Sequence, residues 1–484
     1  MTSVRDREED GRRELPVRPT DEDPLAAAGS ELIGGPAGRR ARSGGHRWWN
    51  PLRVMALAVI GLFALGMAQK ASCYSGGWFT TGNEQYIHAC YSDIPHLYAQ
   101  RGFATDLVPY FDRIPDAVSG ASTIHYLEYP VLTGLFMEVA SWLTPHGGSG
   151  QHRAQIYWIV NSGMLLICAA VLVVCVSRTN GRRPWDGLFV ALSPALALTA
   201  TINWDLFAVA LAAAGMLLWS RSRPLAAGVV IGLATAAKLY PVLLLGALFI
   251  LCLRAGRLRA FAAALGGSAG AWLAVNLPVI LLARDGWSQF YGFSRTRPTD
   301  YGSLWLIIME RSGNPLHGVN AYATALMLLL CAGIAALALY APRRPRIGQL
   351  AFLVVAALLL SNKVYSPQYV LWLLPLAVLA RPRWRDLLIW QGAEVLYFLG
   401  IWMRLAYVTG TKHHGLTPDA YHLAVGAHLL GILYLCALVV RDILRPEYDV
   451  LRQGGEDDPA GGVLDGAQDV FVLGPVPHEP KHVA

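Results

Sequence analysis

Hydrophobic residues run along most of this chain in blocks too long for the helices of a soluble protein. Residues 156–176, 260–283, 320–340 and 420–440 are each almost free of charge. A bilayer core about 30 Å thick is crossed by roughly 20 apolar helical residues, so each block is long enough to span it. Shorter apolar blocks fill much of the space between them. The pattern predicts spans near 53–69, 156–176, 186–202, 204–220, 225–238, 241–253, 260–283, 320–341, 347–362, 366–380, 386–403 and 420–440. The fold class expected is an all-α polytopic membrane protein with about 12 transmembrane helices. Two further runs, 131–143 and 302–309, are short, and counting them as crossings disturbs the topology below. They fit re-entrant or interfacial segments. The pair 225–238 and 241–253 is also short, and Pro241 leaves open a single long, kinked helix.

Composition agrees. Of 484 residues, 54% are hydrophobic and 15% charged, against about a quarter charged in soluble domains, and the mean hydropathy is +0.38. The net charge of +7 does not point to nucleic acid, because the basic residues sit in short clusters between apolar runs. These clusters are Arg39–Arg42 with Arg53, Arg178 with Arg182 and Arg183, Arg221 with Arg223, Arg254 with Arg257 and Arg259, Arg343 with Arg344 and Arg346, Arg381 with Arg383 and Arg385, and Arg441 with Arg445. The bias of Lys and Arg toward cytoplasmic loops assigns all of them, and both tails, to the cytoplasm. The division expected is a disordered tail over 1–50, a membrane domain over 51–445, and an acidic, Gly- and Pro-rich tail over 446–484 that also reads as disordered.

The same topology sends a different set of residues outward. The first outer loop, 70–130, is rich in aromatics, prolines and acids, far longer than a connector requires. It carries Cys73 and Cys90, placed to form a disulfide if the loop is extracytoplasmic. The other cysteines lie in or beside apolar runs and read as small buried hydrophobes. Also sent outward are Asn203-Trp204-Asp205, Lys238-Leu239-Tyr240-Pro241, Arg295 and Arg297 with Asp300, the stretch Ser361–Tyr369 containing Lys363 and Tyr365, Arg404, and Lys412-His413-His414. A charge at membrane depth costs roughly 2.5–3.5 kcal/mol on insertion scales, so Lys238 and Lys363 need a reason for interrupting apolar runs. Each alone reads as a cation snorkelling from a span end. Several cations and a few carboxylates on one face suit an anionic, amphipathic substrate such as a lipid phosphate.

The segments SDIPHLY (92–98), EYPVLTG (128–134), NWDLFAVAL (203–211), GLATAAKLYPVLLL (232–245) and SPQYVLWLLPL (366–376), with the long first outer loop, together resemble glycosyltransferase family 87, of the GT-C class of membrane glycosyltransferases. That family includes polyprenyl-phosphate-mannose-dependent α-mannosyltransferases. The resemblance implies a GT-C-like bundle with a long first extracytoplasmic loop. It also implies transfer of a sugar from a polyprenyl-phosphate donor to a lipid or glycan acceptor, at the outer face of the cytoplasmic membrane. In such inverting enzymes a carboxylate takes the acceptor proton, and cations stabilise the departing lipid phosphate.

Asp93 is the first candidate base, with helix capping ahead of Ile94-Pro95 as the alternative. Glu128 is the second, unless it orients the loop. Asp106, Asp112 and Asp116 read as solvated loop acids. Lys238, Lys363 and Arg404, with Arg295 and Arg297 behind them, are the expected donor-phosphate ligands. Asn203, Asp205, Tyr240, Tyr365, His413 and His414 are expected around the substrates, although Asp205 also suits an ion pair with Lys238 and the aromatics suit an interface belt. No organic cofactor and no metal ligand set is expected, with room left for a divalent cation. The expected partners are the polyprenyl-phosphate donor, the lipid or glycan acceptor and membrane lipids, not nucleic acid. The competing function is a multi-pass transporter or flippase of an amphipathic anion. The early aromatic loop and the lack of two repeated halves argue against it.

Overall fold

A computed structural model describes residues 16–17, 19–35, 38, 48–80, 82–119, 124–410 and 414–474, and regular structure among them is helical throughout. Helix α1 (Pro51–Gln69) starts as its sequence dictates, with Asn50 accepting from the Arg53 amide and Pro51 at the first helical position. The long loop follows. The disulfide Cys73–Cys90 closes its first part, then come α2 (Asp93–Gln100) and α3 (Val131–Trp142). Twelve residues rise only about 18 Å, so α3 is too short to cross a bilayer. Helix α4 (Gly150–Thr179) is about 45 Å long.

The run expected as one span over 186–202 is broken. Ser193 accepts from the Leu196 amide and Pro194 starts a new helix, Pro194–Thr199, so the chain traverses this stretch in short pieces. Helices α5 (Asp205–Ser220), α6 (Pro224–Ala237) and α7 (Val242–Arg254) are separate rods. Gly228 lies on Ala264 and Gly232 on Ser268, so α6 runs parallel to the helix at Leu258–Leu282; α7 must therefore return antiparallel to α6, and the two do not form one kinked helix. Helix α8 (Leu258–Leu282) lies against α6, with the backbones of Gly228 and Gly232 so close to those of Ala264 and Ser268 that a Cβ has no room. The chain continues through α9 (Arg284–Thr296), α10 (Leu304–Ser312), α11 (Val319–Tyr340), α12 (Ile347–Ser361), α13 (Val370–Ala380), α14 (Trp384–Thr409) and α15 (Pro418–Leu444). The nine residues of α10 cannot cross a bilayer either.

Five helices, α1, α4, α8, α11 and α15, are long and apolar enough to cross a membrane. Of these α11 is the most peripheral, burying only Ala338 inside the protein and leaving Leu328 and Leu329 facing outward as a lipid-facing helix does, whereas α4 packs into the interior. The short helices α12 and α13 are buried along nearly their whole length. At 15 and 11 residues they rise only about 22 and 16 Å, less than the hydrocarbon thickness.

The basic clusters that lie in described residues converge on the other end, where both terminal segments meet them. The C-terminal stretch expected to be disordered is packed over 446–474. Asp449 takes the fully buried Arg346 guanidinium, Asp457 and Asp469 take Arg344, and Asp469 also takes Arg254. Its acids are counterions for the arginines, which composition alone does not reveal. The N-terminal tail is likewise docked in part. Asp23 caps a helix at Pro24–Gly34 and accepts from the Trp384 amide, and Glu22 pairs with Arg183.

The Arg346 guanidinium also donates to the Leu379 and Ala380 carbonyls, so one side chain joins the start of α12, the end of α13 and the C-terminal strap. Breaking a buried pair of this kind leaves an uncompensated charge. Asp449→Ala is expected to destabilise the protein by about 3–5 kcal/mol, seen as a lowered midpoint of thermal unfolding in detergent. Arg385→Ala, whose side chain is 67% exposed, should cost at most about 1 kcal/mol.

Candidate functional site

The site is built where the outer loop is fastened to the short helices. Ser92 donates to the Thr201 carbonyl at 2.7 Å and accepts from the Ile94 amide, while the Asp93 amide donates to the Ile202 carbonyl at 2.8 Å. Ser92 is therefore the cap of α2. Asp93 is the first helical residue, and its carboxylate is spared from capping. It accepts one hydrogen bond, from the Tyr91 hydroxyl at 2.7 Å. Asp93 is crowded by protein yet partly accessible, the signature of a group on a cleft floor. Burial pushes its carboxyl above the usual aspartate range, and the Tyr91 hydroxyl and the Lys238 charge oppose that rise. The same burial, reinforced by the Asp93 charge, raises the Tyr91 phenol well above its ordinary value.

Asp205 begins α5 and Lys238 closes α6, and the two form a buried ion pair. Asn203 orients Asp205 by accepting from its amide at 3.0 Å, and the Trp372 indole donates to its second oxygen at 3.3 Å. The Lys238 ammonium lies 5.6 Å from the ring centre of Tyr129 and 5.9 Å from those of Tyr369 and Trp372. Aromatic faces stabilise a cation electrostatically, so the box holds the charge without neutralising it. Tyr240 is buried and stacks on Trp372 at 4.5 Å, so it supports the box from behind and does not line the cleft. Asn203 is buried too, which leaves it a positioning part and not a substrate contact.

Arg297 is paired with Asp300 and half-buried, and its charge acts on Asp93, Tyr129 and Tyr369. It thus faces the same cleft as Lys238. Lys363 is nearby but occupied, its ammonium donating to the Arg295 carbonyl at 3.1 Å. The side chain of Arg295 is exposed.

Other expected residues lie elsewhere. Glu128 is held by Arg101 through three hydrogen bonds of 2.6–2.9 Å, and both side chains are buried. An arginine clamped on both oxygens leaves no basic lone pair free, so Glu128 braces the loop. Tyr365 is fully buried and donates to Glu394 at 2.9 Å, a core contact. Arg404 stands away from Lys238, beside Glu310. His414 is exposed, and His413 lies outside the described residues. Among the described residues no three His, Cys, Asp or Glu side chains converge as a metal set. The residues missed from sequence are the walls, Tyr91, Tyr129, Tyr369 and Trp372. The last three stand inside the EYP and SPQYVLW segments, next to the residues that drew attention.

Residues 126–362 match the model of glycosyltransferase family 87. That stretch, just under half of the chain, is similar to this family of membrane glycosyltransferases. No curated protein matches the sequence. The family 87 stretch includes Tyr129, Asp205, Lys238 and Arg297 and ends one residue before Lys363, so Lys238 and Arg297 both lie inside it. Asp93 reaches that side from the preceding loop. A membrane glycosyltransferase must bring donor and acceptor together, and this cleft sets a proton-accepting carboxylate beside cations able to hold an anion.

The Tyr91 hydroxyl holds the Asp93 carboxyl down, so Tyr91→Phe lets it rise further. A base acts only when deprotonated. The acid limb of the transfer rate in the wild type is therefore expected above the usual aspartate range, and in Tyr91→Phe it should move to still higher pH. A pH–rate profile of both proteins checks this, and an unmoved limb removes Asp93 from the titration.

Proposed function

We propose that this chain is a family 87 glycosyltransferase that moves a sugar, mannose in this reading, from a polyprenyl-phosphate donor to a hydroxyl of a lipid or glycan acceptor. The observation that carries the reading is the placement of Asp93 in one cleft with Lys238 and Arg297. The acceptor hydroxyl oxygen forms a bond to the anomeric carbon while its proton passes to Asp93. The bond from that carbon to the phosphate oxygen breaks, and its electron pair leaves with the lipid phosphate. Lys238 and Arg297 face the charge that grows there. Their own carboxylates, Asp205 and Asp300, keep them ordered between turnovers.

The orientation follows from the arginines. By the bias of basic residues toward the inner face, the end that carries Arg254, Arg344, Arg346 and Arg381 is cytoplasmic, together with both terminal segments. The cleft then opens on the outer face of the cytoplasmic membrane, where a polyprenyl-linked sugar serves as donor and no soluble nucleotide sugar is needed.

The test uses membranes containing the full chain, a polyprenyl-phosphate-linked mannose labelled in the sugar, and a lipid extract as acceptor. Label is expected to enter a glycolipid with the wild type. Asp93→Asn should lower that rate by about 10²–10⁴-fold, the usual contribution of a positioned base, and Lys238→Ala should lower it severely through the phosphate. Unchanged transfer by Asp93→Asn removes the base assignment, and no transfer by the wild type from any such donor removes the donor class.

A further inference from the structure

Three buried nitrogens near the cleft have no hydrogen-bond partner among the described residues: the donors Trp402 Nε1 and Arg404 Nε, and the imidazole Nδ1 of His422. Their residues are only 3%, 9% and 7% exposed. An unsatisfied buried donor costs about 1–3 kcal/mol, and more on a charged group. Such a concentration is expected where a ligand completes the bonding. Glu310 stands between Arg404 and His422. It bonds His422 Nε2 at 2.6 Å, but its other oxygen is 3.7 Å from Arg404, too far for a hydrogen bond. The arginine is thus held loosely, over the Tyr407 ring at 5.6 Å.

The cluster is joined to the proposed base by side chains in direct contact. Trp402 lies against Tyr91 with ring centres 5.0 Å apart, and Tyr91 donates to Asp93. Trp402 also stacks on Tyr86, which lies close enough to Asp93 and Tyr301 to be affected by both, and Tyr301 in turn is affected by Arg404 and Glu310. Asp93 therefore has Lys238 and Arg297 as neighbours on one side and this aromatic and polar group on another.

We propose that Glu310, Arg404 and His422, with the Trp402 indole, bind the sugar headgroup of the acceptor. The chemistry selects a neutral, polyhydroxylated ring. Each sugar hydroxyl both donates and accepts, so it satisfies the Glu310 carboxylate, the Arg404 donor and either tautomer of His422 Nδ1 together, and the aromatic faces suit a ring's C–H surface. A phosphate is disfavoured because Glu310 repels it. This rests on the sugar-transfer reading above, and it moves Arg404 from the donor phosphate, where its charge alone pointed, to the acceptor.

Equilibrium binding of n-octyl α-D-mannoside to the full chain in nanodiscs, without donor, tests the proposal separately from catalysis. Saturable binding is expected for the wild type, with a Kd raised at least tenfold in Glu310→Gln and in Arg404→Gln, partly restored in Arg404→Lys, and unchanged in His414→Ala. Binding of polyprenyl phosphate should stay unchanged in all four, which also shows that they are folded. Absence of saturable glycoside binding in the wild type overturns the proposal, as does equal glycoside binding by the variants. Loss of polyprenyl phosphate binding in Arg404→Gln with glycoside binding retained returns Arg404 to the donor. None of these outcomes depends on Asp93, so failure here leaves the transfer reaction standing.

Discussion

The buried ion pair of Asp205 with Lys238 is the contact on which this architecture turns. It joins the first residue of α5 to the residue closing α6, in the interior of a helical membrane protein where an unpaired charge is expensive. A bare pair there would gain little over two apolar residues. This one is completed by the Asn203 cap, the Trp372 indole and an aromatic box. The same lysine ends its helix early, and the following Tyr240-Pro241 turns the chain into α7. The outer loop is fastened to the segment just before Asn203, through Ser92 and Asp93.

The two ends of the molecule treat positive charge differently. At the arginine-rich end Arg346 and Arg381, both deeply buried, are saturated. Arg346 and Arg381 have carboxylate partners on their guanidinium groups, and Arg346 also closes two orphan carbonyls at the end of α13. At the cleft end, Arg297 stays half-buried beside its carboxylate, Lys363 rests on a carbonyl, and Arg404 is only loosely opposed by Glu310. Saturated pairs hold helices together. Incompletely opposed cations keep a capacity to bind.

Much of this was legible in the chain because apolar runs and their breakers are local signals. The long spans and the outer loop with its disulfide followed from residue type and position. What failed depended on partners distant in sequence. Glu128 has the same chemistry as Asp93, and only the fold reveals that Arg101, 27 residues back, has claimed it. Tyr365 lies in a polar interruption and looks exposed, but Glu394 on α14 draws it into the core. The terminal segments have the composition of disorder, yet their acids meet arginines from three separate stretches of the membrane domain, at 182–183, 254 and 343–346. The break at Ser193-Pro194 was visible, but an apolar flank on each side hid it.

Asp93 shows why the cleft needs two unlike sides. A base must hold its proton affinity near the working pH, which calls for burial and for distance from cations. A departing phosphate demands cations close by. Lys238 reconciles the two because its own carboxylate, Asp205, acts on Asp93 in the opposite sense, leaving burial as the largest influence on that carboxyl. Tyr91 then trims the affinity downward through one hydrogen bond, and its ring continues into the Trp402 wall. The residue that tunes the base is thus also part of the surface on the Glu310 side, so anything seated there presses on the group that sets the base's proton affinity.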